Sequence, residues 1–266
     1  MKRLINIELL KIKSNASFWI LVSLHIGIIL LVVLSGKVFL HSLSINGENI
    51  SNMVDPDNIP LYQFPDIWHN ITYVAGFLKF ILAIYMIISI TSEISYDTLR
   101  QNIMNGLSRT DFIISKLFLI VWIALGSALF LFFTGLIIGI ISTPDLQFHD
   151  MIKYSGFIPA YFLQLTAYLI FALLIGLLIK KTGLAMGLLF LYTLIVEPII
   201  VFRVKTDWIK GLFPNKAINN LIHMPFGKYA LREVQDYVAF KDVIIVLVYM
   251  ALFIYCIYLL LKKRDL

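Results

Sequence analysis

Six apolar runs alternate with polar stretches along the chain, each about as long as a bilayer core is thick. They lie at Phe18–Leu34, Tyr73–Ile90, Leu117–Ile141, Phe157–Ile179, Thr182–Phe202 and Val243–Leu261. A helix needs about 20 residues to cross the hydrocarbon, with ~17 near the lower limit. Backbone N–H and C=O groups find no water in lipid, so such runs must be helices, not open strands. The pattern predicts an all-α membrane protein, one transmembrane domain over the whole 266 residues, with both ends on one side. Ahead of the first span, Ile5, Leu9, Ile12 and Ala16 recur at helical spacing, with Lys2, Arg3, Lys11 and Lys13 among them. A basic amphipathic helix over about 2–16 lies in the plane of the membrane surface. A signal peptide is the competing reading, basic first and apolar later. The amphipathic lead is long for that, and Phe18–Leu34 reads better as a first span.

The polar stretch between the second and third runs, Thr91 to Lys116, has its own pattern. Asp97 is placed to cap a short helix from Thr98 to about Asn105, its carboxylate accepting first-turn N–H groups. Leu99, Ile103 and Leu107 recur every four residues and predict one apolar stripe. Arg100, Gln101, Asn102 and Asn105 fall elsewhere on its surface. Gly106 suits the left-handed residue that ends a helix. Ser108 followed by Asp111 reads as a capping box opening the next helix.

This stretch resembles the cytoplasmic loop of ABC-2 type permeases, the membrane subunits of one class of ATP-driven transporters. There the loop carries a Glu, then Thr-Leu-Arg around the start of a coupling helix, then Ser-Arg and a Lys at the start of the third span. Here these are Glu93, Thr98-Leu99-Arg100, Ser108-Arg109 and Lys116. Similar loops often carry Gly before the Thr, where this chain has Asp97. The resemblance implies an N-terminal elbow helix, a coupling helix that docks an ATPase, and a pair of short re-entrant outer helices before the last span. It also implies a dimer of permeases, with a second copy or a paralogue, and two ATPase subunits.

Composition and charge sharpen the picture. Sixty per cent of residues are hydrophobic and 14% charged, outside the range of a soluble domain. Cys256 is the only cysteine, so neither a disulfide framework nor a cysteine metal cluster is available. No two of the five His share a metal-ligand spacing, so no metal site is expected. With both ends cytoplasmic, twelve Lys and Arg lie inside and nine outside, seven of those in the long loop from Arg203 to Asp242. Long loops count less in the positive-inside rule, so this orientation is preferred, in the cell inner (plasma) membrane. The first outer loop, Ser35 to Thr72, holds Pro56, Pro60 and Pro65 and is expected to be irregular or only partly helical. The 203–242 loop is too apolar for a plain linker, with Trp208, Ile209, Leu212, Phe213, Leu221 and Ile222, and it is broken by Pro214 and Pro225. It reads as short pieces dipping into the outer leaflet, either an outer gate or a structural lid.

Two ionisable residues fall inside predicted spans: Lys79 and Glu197, at similar depth from the outer side. A central charge costs roughly 2.5–3.5 kcal/mol on the insertion scale, so a partner is expected. They pair with each other, line a polar path, or Lys79 snorkels to the headgroups. Pro198 beside Glu197 predicts a kink. Gly135–Gly139 and Gly183–Gly187 have the spacing that lets helices approach closely.

No phosphate-binding loop, nucleophile elbow or H-E-x-x-H pair occurs, so no enzyme chemistry and no bound cofactor are expected of this chain. ATP and Mg belong on a partner ATPase. The expected function is a permease subunit of an ABC transporter, an exporter, coupled through the 97–107 helix. Leu99, Ile103 and Leu107 would fill an ATPase groove, with Glu93, Asp97, Thr98, Arg100 and Arg109 around them. Two other readings stand beside it: an ion-coupled secondary transporter using Lys79 and Glu197, and a scaffold relaying ATPase motion to an outer partner. Besides the ATPase and the second permease the expected partner is the lipid bilayer, not nucleic acid.

Overall fold

The computed structural model describes residue 8 and residues 10–46, 61–104, 106–230 and 235–262. Its regular elements are all helical among these residues. Residues 10–14 form a helical turn, the described part of the expected N-terminal helix, which breaks at Asn15. There the Asn15 side chain accepts the Ser17 N–H at 2.9 Å and opens α1, Ala16–Asn46. At ~1.5 Å per residue α1 outruns a ~30 Å hydrocarbon core. The first span, Ala16–Ser35, ends close to the expected Leu34, and its helix runs on to Asn46, so the first outer loop is partly helical, as expected.

The second span is longer than its apolar run and is not straight. Asp66–Phe77 (α2) and Lys79–Ser95 (α3) meet at Leu78 with a bend of 41°. No Pro marks this break. Leu78 N–H bonds the Ala75 carbonyl, a tightened last turn, and the chain restarts on the buried Lys79. A short helix, α4 (Thr98–Met104), leads to α5, Arg109–Ser142. Here half of the expected capping box forms: Ser108 Oγ accepts the Asp111 N–H at 3.0 Å, while the Asp111 carboxylate accepts the Ser108 hydroxyl at 2.6 Å in place of its backbone N–H.

Then follow α6 (Phe148–Ile152), α7 (Phe157–Ile179) and α8 (Thr182–Leu191). A π-helical turn, Tyr192–Val196, carries α8 into α9, Glu197–Arg203, as one span. Pro198 has no N–H to continue the α ladder. The Glu197 N–H reaches back five residues to the Tyr192 carbonyl, so a π turn stands before Pro198 in place of a regular α turn. The distal loop holds α10 (Asp207–Lys210), α11 (Pro214–Asn219) and a 3₁₀ turn, Pro225–Ala230; α12, Phe240–Lys262, is the last span.

The centre of the bundle is α7, whose segment is 78% buried against 17% for the first and last spans. It packs against α3, α5, α8 and α12. Apolar side chains left outside, such as Leu31, Leu184, Leu247 and Val248, are what lipid solvates. The glycine spacings act differently from the expectation. A Cβ on Gly135 would strike the Trp68 ring at 2.8 Å, and one on Gly139 the Phe64 ring at 2.5 Å. These glycines seat aromatic side chains of the α2 end rather than a neighbouring backbone. Gly183 and Gly187 have nothing within 4 Å.

Candidate functional site

Residues 10–14, the 91–116 connection and Lys262 share one end of the bundle, the proximal end. Its centre is a network of four charges. Lys116, fully buried on α5, donates to Glu8 at 3.0 Å and to Glu93 at 2.7 Å. Lys11 donates to the same two carboxylates at 3.0 and 2.7 Å. The two Lys and two Glu balance, which is the condition under which charges can be taken out of water. The network ties the N-terminal turn to α3 and α5 at one point.

Burial alone would raise the Glu8 carboxyl, but Lys116 and Lys11 outweigh it and hold it below its usual 4.5. Burial likewise opposes the Lys11 charge, yet Glu93 and Glu8 hold it above its usual 10.5. The Glu8 contribution is therefore complete above pH 4.5 and fades as pH falls through the lower folded value; that of Lys11 is complete below 10.5 and fades above it. With Cys256 replaced by Ser and a spin label at residue 13, the N-terminal turn is expected to stay immobile between these limits. Its mobility should rise on acidification below 4.5. Unchanged spectra through acid pH would show that the network does not hold the turn.

Next to the network, α4 leaves α3 through Tyr96 and Asp97. Asp97 adopts φ +54°, a left-handed conformation that Gly enters without penalty and Asp tolerates. The expected carboxylate cap is not what starts the helix. Among the described residues the Asp97 side chain makes no cap bond; its backbone carbonyl accepts the Gln101 N–H at 2.9 Å, and the Thr98 hydroxyl donates to the Glu93 carbonyl at 3.1 Å. Gly106 closes the connection at φ +92°, as its position implied.

Leu99 is 2% exposed and belongs to the protein's own core, and Leu107 packs partly buried against that core. The Ile103 side chain lies outside the described residues, as does Asn105. The surface that α4 turns outward is Arg100, Gln101 and Met104, the last 73% exposed. Arg109 donates to the Lys262 carbonyl at 2.6 Å, joining the start of α5 to the end of α12.

The distal end has a second polar centre, within the spans. Glu197 does not meet Lys79; among the described residues no ion pair joins them. Instead both hold α11. The Glu197 carboxylate accepts the Asn215 N–H at 3.1 Å and the Lys216 N–H at 2.5 Å, donors of the helix start that have no intrahelical acceptor. Lys79 donates to the Asn219 side chain, at the other end. Negative charge at the N-terminus and positive charge at the C-terminus match the helix dipole. The loop is further pinned where His69 meets the His223 carbonyl at 2.8 Å and where the Tyr249 hydroxyl bonds the Leu212 carbonyl. Beneath it lies a cavity of about 490 Å³, with Lys79, Gln164, Thr193 and Asn215 on its wall. Gln164 fits because Gly76 lacks a Cβ, which would come within 2.9 Å of its amide oxygen.

The sequence matches the family described as ABC-2 family transporter protein over residues 4–196, well over half of the chain. The chain belongs to the ABC-2 family. No curated protein matches it. ABC-2 proteins of this kind are membrane transport subunits of ABC transporters, and the apolar helices make this one a multi-pass membrane protein. The match takes in the whole proximal network and ends one residue before Glu197, so the distal loop is described by geometry alone.

Two features of this ABC-2 protein escaped the sequence reading. Glu8 was legible as a lone acid on the apolar side of a basic helix, between Ile5 and Ile12. Gln164 was legible as an amide within an otherwise apolar span. Nothing local marked Asn215 or Asn219 as partners of spans so distant in sequence.

Proposed function

We propose that this chain is the membrane subunit of an ATP-driven exporter, paired with a second permease and driven by a separate ATPase that docks on α4. The observation that carries this reading is the placement of α4. Its inner face is anchored through Leu99 and the Thr98–Glu93 bond, its outer face presents Arg100, Gln101 and Met104, and Glu93 continues directly into the buried network. A push on α4 is therefore delivered to α3, α5 and the N-terminal turn together. Glu93 acts in this scheme inside the protein rather than on the ATPase surface, and Arg109 acts as a tie to α12. ATP and Mg sit on the ATPase, the termini and α4 face the cytoplasm, and the distal loop forms the outer gate. Nucleotide-driven movement biases the spans between two arrangements.

The test is co-purification of the tagged chain with its candidate ATPase subunit. Met104→Glu, alone and with Arg100→Glu, changes only outward side chains. A charge in a helix-in-groove contact is expected to cost roughly 2 kcal/mol or more, about thirtyfold in affinity. The ATPase should be retained by the parent chain and lost by the correctly inserted variants. Equal retention would move the docking site elsewhere, and no retention by the parent would remove the coupling proposal.

A further inference from the structure

The distal cavity carries charge of one sign. Lys79 and Lys216 both line it, with His223 nearby, and no Asp or Glu is among its described lining residues. Glu197 is not among the lining residues; its carboxylate stands behind the wall, where its two oxygens accept backbone N–H groups of α11. An ammonium has three N–H donors. Lys79 directs one to Asn219, and its Nζ stands 4.8 Å from the centre of the Tyr168 ring. The residue is 3% exposed, so its remaining donors have no bulk water to turn to. Two buried oxygens on the same wall, Gln164 Oε1 and Asn215 Oδ1, have no partner within the protein; as acceptors they call for a donor such as a bound water or a headgroup hydroxyl, and the anion falls to the lysines. The rest of the wall is apolar, with Phe77, Phe80, Leu194 and Met224. A cationic, hydrogen-bonding end therefore faces an aromatic and aliphatic end within a volume suited to one small molecule.

We propose that this cavity binds an amphiphile with a single anionic headgroup. The head sits between Lys79 and Lys216, where it takes the spare ammonium donors; the apolar body lies along Phe77, Phe80 and Met224. A neutral headgroup leaves the lysine donors without charge complement, and a cationic one is repelled. Calling this ligand the exported cargo rests on the permease reading, whereas binding rests on the cavity alone.

The probe is 11-(dansylamino)undecanoic acid, titrated against the full chain in phosphatidylcholine nanodiscs and followed by dansyl fluorescence. The acid is expected to bind saturably and its methyl ester about tenfold more weakly, the factor of one charge-assisted hydrogen bond. Lys216→Gln should weaken the acid by about the same factor and leave the ester unchanged. That side chain is exposed while its backbone N–H still meets Glu197, so the fold is retained. Lys79→Gln is the second variant, scored only where its melting curve matches the parent. Dodecyl phosphate should displace the probe, and inorganic phosphate at the same concentration should not. Equal binding of acid and ester, or no effect of either folded variant, overturns the proposal. Displacement by inorganic phosphate alone overturns it in favour of a small-anion site. Binding as expected without ATPase co-purification leaves the site standing and removes the export reading; the converse removes only the site.

Discussion

Lys116→Met is expected to destabilise the protein more than any other single replacement at the proximal end. Its ammonium is fully buried and is shared by Glu8 and Glu93. Removing it leaves two largely buried carboxylates with one remaining cation, Lys11, whose side chain is 39% exposed and already engaged with both. Breaking a buried pair by deleting one partner costs about 3–5 kcal/mol, because the orphaned charge has neither water nor counter-ion. For a chain of this size that is roughly a 10 °C fall in melting temperature. Thermal melting of the detergent-solubilised protein, followed by size-exclusion chromatography, measures it. Adding Glu93→Gln removes the excess negative charge and should recover a large part of the loss. Lys11→Met, at the solvated edge, should cost about 1 kcal/mol or less. A fall under about 2 °C for Lys116→Met would mean that the network contributes little to stability.

Exchanging the distal charges, Lys79→Glu with Glu197→Lys, is expected to be worse than either single change. A direct ion pair would be rescued by exchange, since the attraction survives reversal. In this bundle each charge serves a different end of α11. Glu197 accepts two backbone N–H groups, and Lys has no acceptor to offer them. Lys79 donates to the Asn219 oxygen, and an ionised Glu has no donor. The exchange also sets both charges against the helix dipole. Each single variant should lose about 1.5–3 kcal/mol, the cost of a hydrogen bond to a charged group. The double variant should lose close to the sum, read by the same melting assay. Glu197→Gln, which keeps an acceptor oxygen, should be milder. A double variant more stable than either single one would restore the direct-pair reading and show that the two charges do not hold the opposite ends of α11.

Features that depend on neighbours in sequence were legible in it. The apolar runs predicted five single-helix spans and the bent pair α2–α3 among the described residues, because burial in lipid constrains each helix alone. Ser108 and Asp111 announced a cap that needs only four residues, and Gly106 a turn that needs one. The stripe of Leu99, Ile103 and Leu107 was legible too, but periodicity reports that a face is apolar and not what covers it. In the structure Leu99 is covered by the protein's own core. The outward surface consequently shifts to Arg100, Gln101 and Met104. The bend at Leu78 had only weak local signals, Gly76 two residues before it and the charge of Lys79 after it, and the break accompanies burial of Lys79.

The sequence by itself determined the class of protein, the placing of its apolar helices, the capped connection before α5 and the resemblance that the family match bears out. These follow from hydropathy, periodicity and short-range hydrogen bonding, which act within a few residues. Only the tertiary structure decided where the charges go. Lys11 meets Glu93 across 82 positions, and Lys79 meets Asn219 across 140. A buried charge takes whichever partner the packing of distant helices brings within hydrogen-bond reach, about 3 Å, and that choice is made by the assembled bundle.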